Sequence, residues 1–255
     1  MNRKEDHIAV FDSGVGGISV LRQLRRILPQ ERFLYFGDSA NAPYGTRPTA
    51  QVQELTLAAA ELLLRHPVKA LVVACNTATA AAIGTLREKY PDLIIVGIEP
   101  ALKLAADHFP GGRIGVMATA VTLREEKFDL LLHRFGEGST VSKIPAPGLV
   151  ELVEAGKANS PEVEDLLRQV LTPYIGRLDA LVLGCTHYPF AARPIRKILG
   201  PRVQLLDGGE GTARETRRRL ELAGLLSDGN GSVTWLNSAD DPAILQLCQS
   251  LLTQP

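Results

Sequence analysis

Two pseudo-symmetric α/β halves, each built on a doubly wound parallel sheet, with a cleft between them, are the architecture this sequence predicts. Three observations carry the prediction. Short apolar runs alternate with segments of helical periodicity along the 255 residues. The pattern of the first run, Ile8-Ala9-Val10-Phe11, begins again at Ile114-Gly115-Val116-Met117-Ala118-Thr119, with Thr119 standing where Ser13 stood. A third device, an apolar run closed by a thiol, is written twice. Val68-Lys69-Ala70-Leu71-Val72-Val73-Ala74-Cys75-Asn76-Thr77 and Leu178-Asp179-Ala180-Leu181-Val182-Leu183-Gly184-Cys185-Thr186-His187 agree at Ala, Leu, Val and Cys and are conservative elsewhere.

In chain order, the strand Ile8 to Phe11 ends at Asp12-Ser13-Gly14-Val15-Gly16-Gly17. Ile18, Leu21, Leu24 and Leu28 mark one face of a helix that stops at Pro29. Phe33 to Phe36 is the next strand. It opens into residues 37–45, a polar, turn-rich loop longer than a simple connector and therefore a functional candidate. A helix from Thr49 to Arg65, the Cys75 strand, an alanine-rich helix from Ala78 to Lys89 and a strand from Leu93 to Ile98 complete the first half.

After the restart at Ile114, one helix is expected from Val121 to Phe135 and a strand from Val141 to Ile144. Helices follow at Leu149 to Glu154 and Pro161 to Gly176, then the Cys185 strand. Val203 to Asp207 matches Ile95 to Glu99 and closes the second half. Residues 209–255 read as helix, strand (Val233 to Leu236) and helix. They return to the first half, because the second repeat is complete without them. The expected units are therefore 1–97 with 209–255, and 98–208. Ligands of open parallel sheets bind beyond the carboxyl ends of the strands, where Asp12, Asp38, Cys75, Thr119 and Cys185 all fall. With the halves facing, both cysteines line one cleft.

Composition narrows the partners. Lysine plus arginine and aspartate plus glutamate number 28 each, so nothing points to nucleic acid or an anionic membrane. The one basic cluster, Arg217-Arg218-Arg219, continues a helical pattern and reads as a solvated face. Residues 1–7 are polar and the apolar run after them is too short for a signal peptide. No stretch approaches a membrane span. An odd number of cysteines without CxxC spacing suggests reduced thiols in the cytoplasm.

A thiol between a strand and a helix N-terminus is favoured as thiolate. Cys75 fits, since Asn76-Thr77-Ala78 opens its helix, and Cys185 has His187 two residues on to shuttle a proton or pair with sulfur. A single such cysteine is more often a small buried hydrophobe. Two at equivalent repeat positions, each trailed by hydroxyl side chains, argue for chemistry. Cys248 illustrates the alternative, sharing a helical face with Ile244, Leu247 and Leu251. Around the thiols, Ser13, Tyr44, Asn76, Thr77, Thr119 and Thr186 supply neutral donors. The helix N-termini after Ser13, Cys75 and Thr119 suit carboxylates, and Asp12 and Asp38 suit an ammonium group or proton transfer. Gly14-Val15-Gly16-Gly17 matches neither the dinucleotide fingerprint nor the P-loop.

Six motifs together closely resemble the bacterial glutamate racemase family, and they run in order through nearly the whole chain. They are Asp12-Ser13-Gly14-Val15-Gly16-Gly17, Tyr35-Phe36-Gly37-Asp38, Pro43-Tyr44-Gly45, Ala74-Cys75-Asn76-Thr77-Ala78, Leu183-Gly184-Cys185-Thr186-His187-Tyr188-Pro189 and Asp207-Gly208-Gly209. The resemblance implies interconversion of L- and D-glutamate for peptidoglycan, with no pyridoxal phosphate and no metal, and a possible homodimer. It makes Cys75 the base for D-glutamate and Cys185 the base for L-glutamate, assisted by Asp12 and His187 respectively. Ser13, Tyr44, Gly45, Asn76, Thr77 and Thr186 become substrate contacts. Leu152-Val153-Glu154-Ala155-Gly156 makes Glu154 the auxiliary acid near Cys185, with Glu151 one turn earlier as the alternative. The family often has Cys-Pro where this chain has Ala146-Pro147. Two thiols on opposite faces suit the reaction, because a single base returns a proton only to the face it left.

Rival readings are weaker. A related aspartate racemase keeps both cysteines, whereas a decarboxylase of this fold is expected to keep one. A cysteine phosphatase lacks its arginine, the sixth residue after each thiol being alanine (Ala81, Ala191). The spacing of Cys75, Cys185 and His187 is not that of structural zinc. An amino-acid-binding protein shares two lobes and a cleft but has no use for paired thiols.

Overall fold

A computed structural model describes residues 3–124, 126–135 and 138–253. The ends of the expected first unit (1, 2, 254 and 255), one residue of the expected helix from Val121 (125), and 136 and 137 lie outside the described residues.

The first half alternates β1 (His7–Asp12), α1 (Ile18–Ile27), β2 (Arg32–Gly37), α2 (Thr49–Leu63), β3 (Val68–Val73), α3 (Asn76–Lys89) and β4 (Ile94–Gly97). After α4 (Leu102–His108), the second runs β5 (Arg113–Ala118), α5 (Ala120–Arg124), α6 (Glu126–Phe135), β6 (Thr140–Pro145), α7 (Leu149–Glu154), α8 (Pro161–Leu171), β7 (Ala180–Leu183), α9 (Ala192–Leu199) and β8 (Gln204–Asp207). The chain ends with α10 (Gly209–Leu222), β9 (Ser232–Asn237) and α11 (Pro242–Thr253).

The strands form two sheets, ordered β4-β3-β1-β2-β9 and β6-β5-β7-β8. Every pairing is parallel. In each sheet the first strand lies between its successor on one side and the thiol-bearing strand on the other, the place where strand order reverses and ligands gather. β1 and β5 are thus equivalent, as are β3 and β7. Strands this buried read as unbroken apolar runs: Ile8 to Phe11, Ala70 to Val73 and Ala180 to Leu183 are all at most 4% exposed.

One apolar cluster joins the halves, running from Ile8, Val10 and Val15 to Met117, Leu149, Val153 and Leu183. A second, of Phe11, Phe36, Tyr44, Val73 and Ala78, surrounds Cys75. The segment leading to β9 is tied down by a buried ion pair. Lys69 Nζ, fully buried, meets Glu31 Oε2 at 2.6 Å and donates to Leu225 O, while Glu31 Oε1 accepts from Ser227 N. Removing either partner would leave an uncompensated buried charge.

The helix expected from Val121 to Phe135 is found on both sides of residue 125, as α5 and α6. The structure departs from the sequence pattern in three places. The helix expected to reach Gly176 ends at Leu171, because Pro173 has no N–H to continue the ladder, and a short 3-10 turn follows. Helices α4 and α9 are additional. Loop 37–45 contains two 3-10 turns, Ser39–Asn41 and Tyr44–Thr46.

Candidate active site

Both thiols leave their sheets in the same way. The residue before each continues the parallel ladder: Ala74 N donates to Phe11 O and Gly184 N to Met117 O, both at 2.7 Å. Beyond that point the surroundings diverge.

Cys75 is the N-cap of α3 and is 5% exposed. Its Sγ accepts from Ala78 N at 3.4 Å and donates to Ser13 Oγ at 3.5 Å. Burial pushes the thiol up to about 12, the Asp12 carboxylate adds to the rise, and Ser13 and the Ala78 amide oppose it. A helix N-terminus alone does not outweigh desolvation here.

Cys185, 8% exposed, faces His187 Nδ1 at 3.6 Å. The other ring nitrogen, Nε2, lies 2.5 Å from Glu154 Oε1. Burial opposes charge on His187, which is 2% exposed, but its bonds to Cys185 and Glu154 prevail and hold it well above the usual histidine range. Glu154 ends α7, one turn beyond the exposed Glu151, and it is Glu154 that reaches the imidazole. The same Oε1 accepts from Val15 N at 2.8 Å, across from the first half. Gly14 makes room for this contact: a Cβ there would lie 1.9 Å from Glu154 Oε1.

Asp12 is fully buried at the end of β1. Oδ1 accepts from Gly14 N at 2.9 Å, and Oδ2 accepts from Thr186 Oγ1 at 3.0 Å. Burial raises its carboxyl, while the nearby His187 charge pulls it back. Ser19 Oγ adds a further bridge between halves, 2.9 Å from Thr186 O. Each half thus holds a carboxylate fixed by a donor of the other.

The loop after β2 covers the Cys75 side. Tyr44, 1% exposed, donates to Asp38 Oδ2 at 2.6 Å, and Asn41 Nδ2 donates to both oxygens of the same carboxylate. Asp38 therefore anchors its own loop. Gly45 packs against Thr119, whose Cγ2 would be 2.6 Å from any added Cβ. Thr119 belongs to a triangle of hydroxyls with Thr77 and Thr122, whose edges are 3.0–3.3 Å. Asn76 is 6% exposed, and its buried Oδ1 has no hydrogen-bond partner among the described residues. Unsatisfied amide oxygens of that kind are uncommon in folded proteins and call for a partner.

Twelve of the thirteen residues singled out in the sequence lie at strand ends, in the loops just beyond them or in the first turn of α3, and the thirteenth, Glu154, ends α7. The sequence pattern missed Thr122 and Asn41, and also Tyr35, whose hydroxyl donates to Gly14 O at 2.7 Å. Thr122 had a signal, a second hydroxyl one helical turn after Thr119. Two large cavities lie apart from the sulfurs. One of about 380 Å³ meets the site only at Asn76 and Thr122. Another, of about 810 Å³, lies along the two connections between halves, around Glu99 and Asp207. Among the described residues, no group of three or more His, Cys, Asp or Glu side chains is placed to hold a metal ion, and no helix is long and apolar enough to cross a membrane.

Comparison with known proteins agrees with this arrangement. The sequence-family model described as Asp/Glu/Hydantoin racemase matches residues 16–216. A curated glutamate racemase of Clostridium perfringens is 45% identical over 252 residues, covering 98% of this chain and 97% of that protein. The crystal structure of a glutamate racemase isoform from Bacillus anthracis superposes with a TM-score of 0.90 at 33% identity, covering 98% of this chain and 95% of the other. That of a Francisella tularensis glutamate racemase, in complex with D-glutamate, gives 0.88 at 29% identity with the same coverage.

Proposed function

The chain belongs to the Asp/Glu/hydantoin racemase family, and we propose that it interconverts L- and D-glutamate, Cys185 and Cys75 acting on opposite faces of Cα. One observation carries the reading: thiols end the equivalent strands β3 and β7 and have complementary proton surroundings. Cys75 is held as a thiol, a proton donor, whereas Cys185 lies 3.6 Å from a histidine that its partners hold well above the usual histidine range and that can exchange a proton with it. This arrangement suits reaction from L-glutamate. Cys185 removes the α-proton, and Cys75 delivers its own to the other face, giving D-glutamate. The reverse reaction begins from the opposite arrangement, with Asp12 assisting Cys75.

The α-proton of an amino acid is weakly acidic, so positioning and a dry environment must supply much of the acceleration. The buried sulfurs provide the second. For the first, Ser13, Asn76, Thr77, Thr119, Thr122 and Thr186 offer donors and acceptors to the two carboxylates and the ammonium group. The unpartnered Asn76 Oδ1 suits the ammonium, and the N-terminus of α3 suits a carboxylate. Tyr44 and Gly45 close the loop over the substrate, with Asp38 as its anchor. The D-glutamate bound by the Francisella tularensis enzyme supports the choice of substrate. The proposal includes a reaction without cofactor, in the cytoplasm and supplying peptidoglycan, by a homodimer. It also includes a division into units 1–97 with 209–255, and 98–208, supported by the pairing of β9 with β2.

The test is to incubate the purified protein with L-glutamate in heavy water, with no cofactor added. D-glutamate carrying solvent deuterium at Cα is the expected product. Binding without exchange would overturn the reading in favour of a binding protein, and turnover of aspartate alone would move it to an aspartate racemase.

A further inference from the structure

We infer that Tyr35 is a positioning residue of this site, acting on Cys185 through the Gly14–Val15 peptide group, Glu154 and His187. The inference deepens the racemase reading and rests on it. The Tyr35 hydroxyl donates to Gly14 O at 2.7 Å, and the N–H of that same peptide group, on Val15, donates to Glu154 Oε1 at 2.8 Å. From Glu154 Oε1 the line continues to His187 Nε2 at 2.5 Å and from His187 Nδ1 to Cys185 Sγ at 3.6 Å. A donor on the carbonyl of an amide makes its N–H a better donor, and such chains strengthen each member by roughly 10–30% in a medium of low dielectric.

The effect on chemistry follows from Glu154 Oε1 accepting two hydrogen bonds. Val15 N–H and the imidazole compete for its electron density. With Tyr35 polarising the peptide, Val15 takes a larger share, and Glu154 draws less strongly on the His187 proton. His187 then keeps its positive charge centred on the ring beside Cys185. Without the hydroxyl, the carboxylate pulls that proton harder and the sulfur loses part of its counter-charge.

Tyr35 is built for this role. It is 1% exposed on β2, its ring meets Trp235 of β9 edge-on at 5.6 Å and 61°, and burial keeps the phenol protonated. The titratable groups facing Glu154 are His187 and Cys185 beyond β7, Asp12 at the end of β1, Cys248 on α11 and Tyr35 itself.

The test is Tyr35→Phe in the full chain, which keeps the ring and removes the hydroxyl. Expected are a fall in kcat of about tenfold in both directions with KM nearly unchanged, and an acid limb of kcat/KM displaced to higher pH. In a Glu154→Gln background the same change should cost less than about twofold, because the two residues act in one line. An unmoved limb, or the full loss persisting in that background, would overturn the inference. The His187 Nε2–H resonance of the substrate-free protein gives a readout that does not depend on glutamate being the substrate. It should move downfield in Tyr35→Phe, and an unchanged resonance overturns the inference. Failure of the wild-type protein to racemise glutamate, together with the resonance shift in Tyr35→Phe, refutes the substrate and upholds the relay. Should Tyr35→Phe not fold, 3-fluorotyrosine placed at position 35 strengthens the donor; the resonance should then move upfield, and an unmoved signal decides against Tyr35.

Discussion

Cys75 and Cys185 leave their sheets by one backbone route, each preceded by a residue that still bonds the neighbouring strand, and each at the point where strand order reverses. Past the sulfur they share little. Asn76 and Thr77 open directly into a helix of 14 residues, whereas Thr186 and His187 lead into a 3-10 turn before α9 begins. The first thiol has an amide, a hydroxyl and a carboxylate around it; the second has an imidazole backed by Glu154. The duplicated strand fixes where sulfur sits. The two residues that follow, and whichever element packs over them, decide where its proton resides. Pseudo-symmetry in the scaffold therefore gives the two sulfurs equivalent positions, and its breakdown in the turns gives them different proton partners.

The strongest way to break the comparison is to remove one sulfur at a time. Cys75→Ala and Cys185→Ala should each lower racemisation by more than about 10³-fold, measured by polarimetry or chiral chromatography in both directions. Substantial activity in either would show that a single base suffices and would end the parallel between the two turns.

Gly14→Ala tests the join between halves. The new Cβ would fall 1.9 Å from Glu154 Oε1, a contact that the carboxylate must vacate, leaving His187 without its partner. A loss in kcat of about 10²-fold is expected, with Cys75 still protonated and its alkylation unchanged. Similar disturbance at both thiols would mean that the turn supports the cleft as a whole and not the Cys185 side.

Alkylation of the unliganded protein sharpens the same contrast. With its thiol pushed up to about 12, Cys75 has a thiolate fraction on the order of 10⁻⁴ at pH 8. Cys185 stands beside a charged histidine. Limited treatment with iodoacetamide should therefore label Cys185 at least about tenfold faster than Cys75, as read by peptide mass spectrometry. The selectivity should narrow as the pH rises towards 12, because the Cys75 thiolate grows with pH throughout that range. Preferential labelling of Cys75 at pH 8 would reverse the assignment of resting proton states.

How much of this was legible beforehand differs between the scaffold and the turns. Strands buried on both faces leave an unmistakable run of Val, Leu, Ile and Ala, so β1, β3, β5 and β7 stand out. Their shared sequence also exposes the repeat. Helix α4 leaves little trace, being a short stretch with three polar residues among its seven. Contacts made along one turn of chain, such as Cys185 with His187, could be read directly. Those bringing Val15 to Glu154, Tyr35 to Gly14 or Thr186 to Asp12 could not, because they join residues separated by 139, 21 and 174 positions. The first and third depend on how the halves face each other and the second on how β2 lies beside the turn after β1, and no local pattern records either.

Cys248 gives the smallest effect and closes the comparison from outside. It is as buried as the other two thiols, at 1% exposed, and burial pushes it up to about 12, just as it does Cys75. Glu154 and Asp12 act on it through their charge as well. If a buried, protonated thiol within the field of those carboxylates were enough for chemistry, Cys248 would qualify. It lies instead on α11, packed in the apolar cluster with Leu251, at the end of no strand. Cys248→Ala should therefore leave kcat within about twofold while lowering stability by about 1 kcal/mol through the lost sulfur contacts, measured by denaturant unfolding beside the racemisation assay. A tenfold drop in kcat with intact stability would mean that proton state alone, and not the position given by a duplicated strand, selects the working sulfur.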